Sequence, residues 1–188
     1  HAWFPGEFGG QAIAEALFGD YNPGGRLAVT FPKSVGQIPF AFPFKPGSDE
    51  SSETSVYGAL YPFGHGLSYT TFQYSDLAIS PSKQGVQGNI SISCTIKNIG
   101  QREGDEVVQL YLRDEVSSVT TYTQVLRGFE RITLKPEASH TVHFELTPQE
   151  LGIWDKQMNF TVEPGMFKVM IGSSSKDIRL KGEFEIAQ

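Results

Sequence analysis

Side chains able to do chemistry are present in this chain, but they do not assemble into a catalytic set. Two acidic doublets, Asp105-Glu106 and Asp114-Glu115, bracket one run of alternating apolar residues. Paired carboxyls can share general acid–base work when their surroundings push their pKa values apart. Doublets at the two ends of a strand read more simply as solvated ends. Glu130 alternates with Phe129 and suits a surface ion pair with Arg127 or Arg131. Glu7 lies in a Gly-rich turn before a helical run, where the helix dipole favours a carboxylate as a cap rather than as a proton donor. His140 and His143 are three apart on a strand-like run and so point to opposite faces, which denies them a shared metal ion without a bulge. Cys94 alternates with Ile90, Ile92 and Ile96, as a buried small hydrophobe does, and no base is placed by sequence to activate it. As the single cysteine, it also excludes an internal disulfide. No metal site and no cofactor are expected.

The most unusual stretch is Tyr61-Pro62-Phe63-Gly64-His65-Gly66-Leu67-Ser68-Tyr69-Thr70. It is too irregular for a helix and too punctuated for an ordinary strand. Pro62 fixes its own φ and biases Leu60-Tyr61 toward extended geometry. Gly64 and Gly66 permit backbone angles closed to other residues. The spacing predicts a rigid connector docked between two bodies, with Tyr61, Phe63 and Tyr69 buried at the contact, unusual φ at Gly64 and Gly66, and His65 hydrogen-bonded within it. Gly64-His65-Gly66 is too short for a phosphate loop and lacks the following helix.

Around this connector the chain divides near residues 72 to 76. Before it, Ile13, Ala14, Leu17 and Phe18 recur at helical spacing, which predicts a helix from about Glu7 to Phe18, stopped at Gly19. Asn22-Pro23-Gly24-Gly25 is a turn, Arg26 to Phe31 a short strand, and Pro39 to Ser55 a long loop. One helix and few strands cannot bury a sufficient core, so residues 1–72 read as the tail of an α/β domain plus the connector. After the connector, apolar residues alternate in Ile90-Ile92-Cys94-Ile96, Val108-Leu110-Leu112, Val142-Phe144-Leu146, Phe167-Val169-Ile171 and Phe184-Ile186. Gln109, Tyr111 and Arg113 fall on the opposite face of their strand. This period of two predicts an antiparallel β-sandwich of about seven strands over residues 73–188. The fold class is therefore mainly β: a fibronectin type III-like sandwich preceded by a remnant of an α/β sandwich domain.

A formal charge of −6 over 188 residues argues against nucleic acid and anionic membranes as partners. No apolar run is long enough to span a bilayer, and no signal segment is visible. His1-Ala2-Trp3-Phe4 lacks an initiating Met and reads as the inside of a longer protein. Asn89-Ile90-Ser91 and Asn159-Phe160-Thr161 match the glycosylation acceptor pattern. Trp3 and Trp154 have faces that could stack on sugar CH groups, although packing on the first segment and at the sandwich edge accounts for them as well.

In order, the run Ala2 to Leu27, the segment Val29-Thr30-Phe31-Pro32, the connector Tyr61 to Thr70, Leu126-Arg127-Gly128-Phe129-Glu130-Arg131, Val162-Glu163-Pro164-Gly165 and Ile171-Gly172-Ser173-Ser174-Ser175 resemble the C-terminal portion of glycoside hydrolase family 3, a family with many β-glucosidases. The stretch Ser51 to Leu60 is shorter than the Tyr- and Arg-rich loop of many members. The resemblance implies a retaining, exo-acting enzyme that removes terminal β-linked sugars. It places the nucleophilic Asp and the acid/base Glu upstream, so no catalytic residue is assigned within this chain. Implied partners are the upstream barrel and α/β domains, in the same polypeptide or as a separate chain, and a β-linked oligosaccharide or glycoside substrate. A periplasmic or secreted parent fits. A non-catalytic carbohydrate- or protein-binding sandwich module is the competing reading.

Overall fold

The structure is a computed structural model that describes residues 1–48 and 58–188. The Ser51 to Tyr57 part of the shortened loop, and the end of the loop expected to run to Ser55, lie outside the described residues.

Two sheets face each other across one apolar interior. Strands β1 (Phe72–Ser80), β3 (Ile90–Asn98) and β6 (Ser139–Leu146) form the first, in the order β1-β3-β6. The second contains β2 (Lys83–Gly85), β4 (Gly104–Asp114), β5 (Val125–Leu134), β9 (Gly165–Gly172) and β10 (Ile178–Ala187), in the order β2-β10-β9-β4-β5. Between β6 and β9 come the short helix α2 (Pro148–Leu151) and the ribbon of β7 (Ile153–Trp154) and β8 (Phe160–Thr161). Every pairing in the two sheets is antiparallel except β2 with β10. Five of the seven long strands, β3, β4, β6, β9 and β10, contain the runs of alternating apolar residues, because period two places one row of side chains on the inner face.

The interior holds Ile90, Ile92, Cys94 and Ile96 from β3, Val108, Leu110 and Leu112 from β4, and Phe167, Val169 and Ile171 from β9. Phe167 lies opposite Phe184 in the ladder, and their rings stack at 5.3 Å. Cys94 is fully buried, and burial pushes its thiol up to about 11, so it stays protonated and inert.

The segment before Phe72 has one helix, α1 (Gly9–Phe18), which ends where Gly19 takes a left-handed φ of 85°. It starts at Gly9 rather than Glu7, and no side chain caps it. Its apolar residues are exposed: Leu17 by 71% and Phe18 by 85%. The expected strand from Arg26 to Phe31 does not form; only an isolated bridge joins Phe31 to Tyr61. The ladder cannot extend along the connector because Pro62 has no amide to donate and Gly64 turns the chain at φ 82°.

Candidate docking site around the connector

The connector runs back along the segment it follows. Phe31 N donates to Tyr61 O (2.9 Å), Leu60 N to Phe31 O (2.8 Å), Gly64 N to Leu27 O (2.8 Å) and Leu27 N to His65 O (2.9 Å). Two glycines allow this course for different reasons. Gly64 has the positive φ, and a Cβ there would stand 2.1 Å from Gln109 Oε1. Gly66 has no positive φ, contrary to expectation; a Cβ on it would lie 2.3 Å from the carbonyl of Gly25. His65 N donates to Pro62 O (3.1 Å), and its ring stacks on Tyr61 at 5.1 Å.

The aromatic residues divide the work unequally. Phe63 stacks on Phe42 at 4.6 Å, and Phe42 sets its edge against the fully buried Tyr111 of β4. Tyr61 and Tyr69 stay 44% and 48% exposed, less sunken than the spacing suggests. Tyr69 instead ties α1 to the connector: its hydroxyl donates to Ala16 O at 2.7 Å and its amide to Asn22 Oδ1 at 2.8 Å, with Arg102 over its ring.

Polar side chains from the sandwich complete the contact. Glu106, expected to be a solvated strand end, is 3% exposed and pairs with Arg26 at 2.6 Å. Burial raises its pKa against the opposing pull of Arg26. Glu106 also lies on the same strand face as Val108 and Leu110, an alternation that could have revealed it. Gln109 donates to Ser173 O (2.6 Å) and more weakly to Gly64 O (3.3 Å), while accepting from the Tyr111 hydroxyl (2.5 Å). Thus the second face of β4, which carries Gln109 and Tyr111, is covered by the connector and the Phe42 loop. Asn98 is fully buried, with both ends of its amide satisfied: it donates to Arg102 O and Leu134 O and accepts from Thr70 Oγ1 and Gly100 N.

The remaining candidates lie elsewhere. Arg131 pairs with Asp105, not with Glu130, which approaches His140 at 3.7 Å. His143 sits opposite Ser93, three places along β6 from His140. Among the described residues no three His, Cys, Asp or Glu side chains gather as a metal site. Glu115 is held by Arg113 (2.9 Å) and Lys168 (2.7 Å) and is not a free strand end. Trp3 packs on His1 and Phe31, and Trp154 on Phe160 in the β7-β8 ribbon. The arrangement around the connector is one of packing, buried hydrogen bonds and one ion pair, suited to holding segments together rather than to bond cleavage.

Comparisons with known proteins fit this geometry. Residues 1–69 match the glycosyl hydrolase family 3 C-terminal domain, and residues 106–175 the fibronectin type III-like domain. A periplasmic β-glucosidase of Salmonella typhimurium is 44% identical over 98% of this chain and 25% of its own length. A β-xylosidase of Formosa agariphila is 43% identical over 95% of this chain and 25% of its own length. Among solved structures, a β-glucosidase from Erythrobacter marinus superimposes with a TM-score of 0.93 at 39% identity, covering 99% of this chain and 25% of that one. The β-glucosidase of Listeria innocua in complex with glucose gives 0.91 at 32% identity, covering 100% and 28%. The chain therefore spans about a quarter of the length of these relatives.

Proposed function

This chain is the C-terminal portion of a glycoside hydrolase family 3 protein, and from that premise we propose that it completes and braces a retaining, exo-acting β-glucosidase-like enzyme. Its sandwich and connector form the structural rim, while the nucleophilic Asp and the acid/base Glu belong to upstream barrel and α/β domains. Tyr61, Phe63, Gly64, His65, Gly66 and Tyr69 serve as the interdomain connector, with residues 1–72 ending the α/β domain and 73–188 forming the sandwich.

One observation carries the reading. The first segment is bonded to the sandwich and leaves Phe4 (99% exposed), Phe8 (70%), Leu17 (71%) and Phe18 (85%) uncovered. Large apolar side chains left exposed on one short segment are the surface that a further domain would cover. A free-standing binding module needs neither this face nor the helix that carries it. The substrate would be a β-linked glycoside of glucose or xylose, the sugars in the relatives' names. The Salmonella relative's compartment supports a periplasmic or secreted parent. No helix among the described residues is long and apolar enough to cross a membrane.

Reconstitution tests this. Mixing the purified chain with the upstream remainder of its parent should restore hydrolysis of aryl β-glucosides or β-xylosides, with neither piece active alone. Turnover by the chain itself, abolished by replacing one of its own carboxylates, would overturn the assignment.

A further inference from the structure

A second concave site lies away from the connector. The end of β4, the loop that follows it, the start of β5 and the α2-β7 turn enclose a pocket of about 260 Å³. Leu112, Leu151 and Phe167 are buried beneath it and give it an apolar floor. Tyr122 and Trp154 stand at its rim, 43% and 59% exposed.

The walls carry polar groups with unused capacity. The Asp114 carboxylate accepts one long bond, from Val116 N at 3.3 Å, and no other among the described residues. The Arg127 guanidinium makes no hydrogen bond or close ion pair among them; burial lowers its pKa, and the charge of Glu150 across the pocket offsets this only in part, leaving its N–H donors unused. Glu150 is already committed, accepting from the amide of Thr147 at 2.8 Å and from its hydroxyl. Charged groups drawn partly out of water without partners are costly, and a ligand that satisfies them recovers that cost.

The chemistry of the walls narrows the ligand. A carboxylate ligand would suit Arg127 but oppose both Asp114 and Glu150, and an amine would suit Asp114 but compete with Arg127 for the Glu150 charge that already faces it. A neutral ring bearing several hydroxyls suits both, since each hydroxyl can donate to the carboxylate or accept from the guanidinium. Its apolar CH face would lie on an aromatic ring at the rim. The volume falls just under the range of roughly 300 to 1,000 Å³ typical of drug-sized ligands, which leaves room for one ring. Beyond Trp154 the surface opens into a wider cleft with Pro148, Gln149 and Phe160, an exit for an attached unit.

We propose that this pocket is a saccharide subsite of the sandwich, in which Asp114 and Arg127 hydrogen-bond one neutral sugar ring against the aromatic rim of Trp154 and Tyr122. The claim is binding without cleavage, and it stands apart from the hydrolase reading.

Ligand-observed saturation-transfer NMR on the 188-residue chain tests it, with methyl β-D-glucopyranoside and methyl β-D-xylopyranoside as probes. Ring protons of at least one glycoside should receive saturation, and Trp154→Ala and Arg127→Gln should each weaken binding roughly tenfold, the scale of a lost charged hydrogen bond or stacking contact. Far-UV circular dichroism confirms that the variants fold; Arg127→Gln keeps a polar side chain and carries the test if Trp154→Ala unfolds. Absence of transfer to both glycosides, or equal transfer in folded variants, would overturn the proposal. Hydrolysis is measured separately in the reconstituted enzyme, so either reading can fail alone.

Discussion

Arg26 Nη2 lies 2.6 Å from Glu106 Oε1, with the two side chains only 10% and 4% exposed. They stand eighty positions apart in the chain, on opposite sides of the connector, so the pair is a tether as well as an interaction. Arg26 Nε is buried without a partner, so the arrangement is only partly satisfied.

Removing one member should therefore cost more than removing both. Arg26→Ala leaves a buried carboxylate, at about 3 to 5 kcal/mol, whereas the double replacement Arg26→Met/Glu106→Leu should be near neutral. Burial already raises the pKa of Glu106, and loss of Arg26 raises it further. The folded state then favours the protonated form, so the deficit of Arg26→Ala should shrink as pH falls. Denaturant unfolding at pH 5 and pH 8 measures this; a deficit independent of pH would refute it.

Substitution at the two connector glycines should loosen the contact for different reasons. Gly64→Val meets both a left-handed φ of 82° and Gln109, while Gly66→Val meets the Gly25 carbonyl. Each should cost roughly 1 to 3 kcal/mol. Limited proteolysis should show new cleavage between residues 58 and 72 in the variants and protection in the parent chain.

Asn98 offers a near-isosteric probe. Asn98→Asp keeps the side that accepts from Thr70 and Gly100 but turns an acceptor toward the carbonyls of Arg102 and Leu134. In a fully buried site the cost should be on the order of 3 kcal/mol. Protonation returns one donor, so acidification should narrow the gap in denaturation midpoint.

Asp114 supplies a pH dependence of its own. Burial is the main cause that pushes its carboxyl up to about 6, opposed by the Val116 amide and reinforced by Glu163 and Glu115. A raised carboxyl contributes its stability below its unfolded pKa and loses it as pH rises through the folded value. Asp114→Asn should unfold at the same temperature as the parent near pH 4 and at a higher one above pH 7. A gap unchanged across that span would show that Asp114 titrates normally.

Five of the long strands are legible from apolar alternation, whereas β1 is interrupted by a register shift between Ser75 and Ala78 and β5 carries Gly128 and Glu130 in its inward row; Gly19 marks the helix end. The segment Arg26 to Phe31 has the composition of a strand but does not form one, because its pairing depends on Tyr61, thirty positions away, and on an amide that Pro62 lacks. Alternation shows which side of a strand is apolar; it does not show what covers the other side. Gln109 and Tyr111 fall opposite the apolar row, and nothing local shows that the Phe42 loop and the connector lie over them. Glu106 sat in plain sight on an apolar face, but its partner Arg26 belongs to a different part of the chain, and no local pattern links the two.

Strand β4 presents one face to the sandwich interior and the other to the connector. Melting the first segment would uncover Tyr111 and Gln109, and melting the sandwich would remove the surface on which Phe63 and Arg26 rest. The change of sequence character near residue 72 is therefore not a seam in cooperativity. A calorimeter should record one transition where two modules would give two, and the β4 amides should exchange with solvent only through that same global opening.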